Sequence, residues 1–120
     1  MIITPSAQIT IDIAEAKKSV GEAYRSGQMS QQDAQEELES IKERLQRAKQ
    51  IAKSVAAKSI EELEELLEEM SKDFELYSHS NEHTFKEQFN RLNLLAGTIY
   101  GLELTLAYRS ACSSKSYMEA

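Results

Sequence analysis

Two blocks of opposite charge, each laid over apolar residues at helical spacing, occupy residues 42–75. They constrain what this chain can fold into more than any other feature. Across 42–58 the basic residues Lys42, Arg44, Arg47, Lys49, Lys53 and Lys58 are set against one acid, Glu43. Across 59–75 the acids Glu61, Glu62, Glu64, Glu65, Glu68, Glu69, Asp73 and Glu75 are set against Lys72 alone. A charge run without apolar content would read as a disordered tail. Here Leu38, Ile41, Leu45, Ala48, Ala52 and Val55 recur in steps of three and four, and so do Ile60, Leu63, Leu67, Met70, Phe74 and Tyr77. That is the period of two amphipathic helices.

The remainder of the chain agrees with a helical class. One proline and four glycines interrupt a sequence rich in Ala, Leu, Glu, Lys and Gln, which are strong helix formers. The first helix is ambiguous at its start. Ile9, Ile11 and Ile13 alternate like a strand, while Ile13, Ala16, Val20 and Ala23 continue at helical spacing. Asp12 with Glu15, or Thr4 followed by Pro5, would each open a helix, and Gly27 would close it. Ser30 is a good N-cap for the second helix. Ser59 with Glu62 has the spacing of a capping box and separates the second helix from the third, although residues 56–59 also permit one continuous helix through Tyr77. The Ser78-His79-Ser80-Asn81 cluster marks the next turn. A fourth helix carries Phe85, Phe89, Leu92, Leu95, Ala96, Ile99, Leu102 and Leu106, with Gly97 and Gly101 one turn apart. The expectation is an all-α, compact up-and-down bundle of four helices. It forms one domain, 1–111, with a polar tail, 112–120. The fourth helix is central, and the second and third are antiparallel neighbours of opposite charge.

Composition narrows the function classes. A net charge of −6 disfavours a general nucleic-acid binder, although the basic side of the second helix is the place where phosphates would sit. The most apolar window, 92–108, holds Asn93 and Glu103 and is short for a membrane span, so a core helix is expected. The start of the chain lacks the basic and apolar regions of a secretory signal. Cys112 stands alone and can form no disulfide within the chain, which fits a reducing, cytoplasmic setting.

Few residues suggest chemistry. Glu75, His79, His83 and Glu87 are spaced by four and would share one face of an unbroken helix, a donor set suited to zinc or iron. The turn at 78–81 breaks that helix, so no metal is expected and the set stands only as an alternative. Glu103, between Leu102 and Leu104, is expected in a network with Arg91, Arg109 or a tyrosine. Cys112 reads as a small hydrophobe at the bundle margin. No glycine-rich phosphate loop or nucleophile elbow is present, and neither a cofactor nor an enzymatic activity is expected.

What remains is the surplus of acids on the third helix, since eight carboxylates exceed the six nearby bases. The expected function is therefore a non-enzymatic interaction module: an adaptor, chaperone or inhibitor. Glu61, Glu62, Glu65, Glu68, Glu69 and Asp73 would dock on a protein with a basic surface. Wide apolar stripes and the tyrosines at 77, 100, 108 and 117 add a homodimer as a further expectation.

Overall fold

Thr4 begins the first helix. Its hydroxyl accepts from the N–H of Ala7 at 3.2 Å, and Pro5 occupies the first helical position, where a missing N–H costs nothing. The strand-like alternation at Ile9, Ile11 and Ile13 thus lies inside α1, Pro5–Arg25. The helix stops at Gly27, the one residue with positive φ (82°) among the described residues. There Gly27 N–H donates to Tyr24 O and Gln28 N–H to Ala23 O, the paired bonds of a Schellman turn. A computed structural model describes residues 2–79 and 84–119, with the side chains of 113–119 left out.

The next two boundaries follow the serines. Ser30 Oγ accepts from Asp33 N–H at 3.1 Å and opens α2, Gln31–Ser54. Ser59 and Glu62 form the complete reciprocal capping box that opens α3, Ile60–Ser78, so the second and third helices are separate. The fourth helix, α4, runs Phe85–Glu119. It opens on a second reciprocal box: Glu87 N–H donates to Thr84 Oγ1 at 3.3 Å, and Thr84 N–H donates to Glu87 Oε2 at 3.4 Å. Helical conformation continues past Ala111, where the sequence had suggested an end. Neither proline nor glycine follows, and polar residues alone do not stop a helix.

These helices form an all-α bundle whose chain directions alternate, with α4 in the middle. Their order across the molecule is α1, α2, α4, α3. Contacts between α2 and α4 keep a nearly constant offset: Asn93 Nδ2 donates to Ser40 O, Arg47 Nε to Thr98 Oγ1, and Arg109 Nη1 to Ala56 O. The two helices are therefore parallel. In α3 and α4 the pairing runs the other way, from Leu63 with Leu102 to the carbonyls of Tyr77 and Ser78 with Gln88 Nε2. The expected antiparallel pairing of α2 with α3 does not occur, because α4 lies between them along most of their length. The molecule is accordingly flat, 54 × 37 × 18 Å, with its long dimension close to the length of α4.

Close approach explains why α4 takes the central place. A Cβ on Gly97 would lie 2.4 Å from Arg44 O, and one on Gly101 would lie 2.5 Å from Ala48 O. The absence of those side chains lets α4 rest on the backbone of α2. Two apolar clusters flank this contact. One joins Ile9, Leu45 and Ala48, with Ile13, Ile41, Tyr100 and Leu104 around them. The other joins Val55, Leu63 and Leu102, with Ile51, Leu66, Leu67, Met70 and Leu106. Each buried side-chain polar group of the described residues finds a partner, including Thr105, whose hydroxyl donates to Gly101 O. No helix of the described residues is long and apolar enough to cross a membrane.

Gly97→Ala or Gly101→Ala is expected to destabilise the fold by about 1–3 kcal/mol, because backbone rather than a mobile side chain blocks the new methyl group. Gly21→Ala is the control. The nearest atom to its Cβ is the tip of Arg25 at 3.3 Å, and a gain of about 0.5–1 kcal/mol is expected from reduced chain entropy. Urea midpoints of the three variants test both signs.

Candidate interaction surface

The α3 carboxylates lie on a ridge that no other helix covers. Glu61, Glu65, Glu69 and Asp73 recur every four residues, are exposed, and make no ion pair among the described residues. Glu68 pairs with Lys72 at 3.2 Å on its own helix. Glu62 is a special case. Its carboxylate accepts from the backbone N–H and the hydroxyl of Ser59, and it lies 3.8 Å from Lys58. Those hydrogen bonds, then the charge of Lys58, hold it below the ordinary carboxylate value. Glu62 therefore serves the start of α3 and Glu68 is paired with Lys72, which leaves four of the expected residues, Glu61, Glu65, Glu69 and Asp73, for solvent or a partner. The basic block of α2 neutralises none of them. Arg47 is spent on Thr98, while Lys42, Lys49 and Lys53 are exposed on a helix that does not touch α3.

Where α2 and α3 diverge over α4, an open groove of about 490 Å³ forms. Glu43 and Arg47 stand on its α2 side, Met70 and Asp73 on its α3 side, and Arg91 and Leu95 on its floor. Its lining includes no histidine, cysteine or serine, so it offers no nucleophile with an adjacent imidazole.

The described members of the alternative metal set, Glu75, His79 and Glu87, do not form one continuous helical face. Glu75 and Glu87 lie on different, antiparallel helices, and the Glu87 carboxylate is bonded to the N–H of Thr84. His79 is exposed at the end of α3, and His83 lies outside the described residues. Among the described residues no three His, Cys, Asp or Glu side chains gather around one point. The Thr84-x-x-Glu87 spacing was the sequence signal that α4 begins here and that Glu87 belongs to a cap.

Glu103 joins no buried network; it is exposed. Arg109 instead donates to the carbonyls of Ala56 and Lys58 at 2.8 and 2.7 Å, which satisfies acceptors left open after the end of α2. Cys112 is half-buried beside Tyr108. Of the tyrosines expected at an interface, Tyr100 is engaged within the chain: its phenol donates to Asp12, tying α4 to α1. Side-chain placement of Tyr117 lies outside the described residues.

The pole formed by the start of α2, the start of α4 and the end of α3 went unnoticed in sequence. By spacing, Phe85 and Phe89 belong to the core stripe of the fourth helix. In the structure they are 85% and 49% exposed and stack with ring centroids 6.5 Å apart. They line a cavity of about 460 Å³ together with Met29, Asp33, Glu36 and Glu37. Periodicity could not reveal this, because the stripe continues while the neighbouring helices run out. Compared with family models, curated proteins and solved structures, the chain shows no significant match to any of them.

Burial, the hydrogen bond to Asp12, and the charges of Asp12, Glu103 and Glu15 push the Tyr100 phenol from 10.0 up to about 12. The native state then keeps a proton that the unfolded chain releases near pH 10. Tyr100 contributes stability that is complete below that pH and is lost as pH rises towards 12. Tyr100→Phe should remove a phenol that ionises well above pH 10 from an absorbance titration and flatten the alkaline decline of the urea midpoint.

Proposed function

We propose that this chain is a non-enzymatic protein-interaction module, an adaptor, chaperone or inhibitor, that docks on a basic surface of another protein through the acidic ridge of α3. One observation carries the reading: α4 separates the ridge from the basic helix α2, so Glu61, Glu65, Glu69 and Asp73 stay exposed and without ion pairs among the described residues. A row of unneutralised carboxylates attracts a basic partner over roughly a Debye length, about 8–10 Å at physiological salt, and speeds productive encounter. Each exposed pair formed on docking contributes only about 0–1 kcal/mol, so affinity from this ridge depends on several acids acting together. The lone Cys112 and the lack of a membrane-crossing helix among the described residues fit a cytoplasmic site of action.

The test uses the immobilised chain exposed to extract from its native host, with bound protein eluted by a salt gradient. The expected result is a basic protein that elutes as salt rises and is not retained by the Glu61→Lys, Glu65→Lys, Glu68→Lys variant. All three positions are exposed, so the variant should keep its helical content. Equal retention by the variant overturns the reading.

A further inference from the structure

The Phe85–Phe89 pole is a second surface, independent of the α3 ridge. Two phenylalanine rings stacked in solvent are a costly arrangement, and Phe85, at 85%, is more exposed than Leu76 (73%) and the other large apolar residues that reach solvent among the described residues. Their surroundings define what fits over them. Asp33, Glu36 and Glu37 on the first turns of α2 border the rings, with Lys86 the one cation in the lining. The cavity of about 460 Å³ is open and lies between two helix starts, and Met29 supplies a deformable apolar wall. We propose that this groove binds an amphipathic helix of another protein, one that inserts large aliphatic residues between Phe85, Phe89 and Met29 and sets lysine or arginine against Asp33, Glu36 and Glu37.

Charge and geometry argue against the occupants this chain itself supplies. The far end of its own 35-residue α4 lies about 52 Å away at 1.5 Å per residue. A second copy has a basic amphipathic helix in α2, but the apolar stripe of that helix is already buried against α1 and α4. A symmetric dimer that placed Phe85 on Phe85 would bring the three carboxylates of each copy together, and like charges at close range oppose association. A basic, aliphatic helix satisfies both the rings and their rim.

A fluorescein-labelled lysine–leucine amphipathic peptide of about 18 residues (five helical turns) is the probe. A control peptide keeps the lysines and replaces the leucines with serine. Fluorescence anisotropy with the full chain should show the leucine peptide binding about tenfold or more tightly than the control. Phe85→Ser with Phe89→Ser should weaken that binding about tenfold or more, as expected for exposed aromatic anchors. Glu36→Lys with Glu37→Lys should do the same, which guards against a phenylalanine variant that folds poorly. The Glu61→Lys, Glu65→Lys, Glu68→Lys variant should bind the peptide unchanged, so this surface and the α3 ridge succeed or fail separately. Three results overturn the proposal. One is equal binding of the two peptides, and another is loss on the α3 variant with retention on the phenylalanine variant. The third is sedimentation of the wild-type chain as a dimer that dissociates when Phe85 and Phe89 are replaced.

Discussion

The backbone contact between α2 and α4 organises this protein. Gly97 and Gly101 remove the two side chains that would hold the helices apart, and Ala48 presents a small surface opposite Gly101. Polar groups then fix the register of that contact: Asn93 reaches Ser40 O, Thr98 receives Arg47, and Arg109 closes the end of α2. A hydrogen bond that is lost when two helices slide past one another strands a buried polar group. The register is therefore more sharply defined than leucine contacts alone would make it.

Once α2 and α4 are paired, the rest of the arrangement follows. The short α1–α2 turn folds α1 back along α2, where it also meets α4 at Tyr100 and Leu104, and α4 runs back along α3. The result is a flat row with α4 inside it and α1 and α3 at the margins. In a square bundle α2 and α4 would be diagonal and α3 would lie beside α2. In the row, the charge blocks of α2 and α3 are separated by a helix diameter. Their opposite signs thus describe two surfaces rather than one interface.

That separation joins the fold to the proposed function. An acidic helix beside a basic one would satisfy itself, and few of its carboxylates would remain for a partner. With α4 interposed, the ridge on α3 keeps its charge while its apolar side, from Leu63 to Met70, is held by Leu102 and Leu106. The same flatness leaves the pole at Phe85 without a covering helix. The two exposed features therefore arise from one architectural cause.

Local chemistry was legible in the residues. Thr4-Pro5, Gly27, Ser30 and Ser59-Ile60-Glu61-Glu62 each state a helix boundary, because a cap is satisfied within about four residues of chain. The small residues at 97 and 101 also announced close approach. Which helix would approach was not written there, since any helix with a small residue and free carbonyls on its surface could have answered. The fates of Glu103 and Phe85 were hidden for the same reason. A carboxylate or a ring inside a helix has the same local spacing whether it meets solvent or a core. Sequence alone determined four helices, the caps that open α2 and α3, and most of the apolar stripes, which depend on short-range hydrogen bonds and period; the end of α4 and the fate of its first turn were not among them. The tertiary structure alone decided that α4 would lie between the two charged helices, because that outcome depends on contacts more than fifty residues apart in the chain.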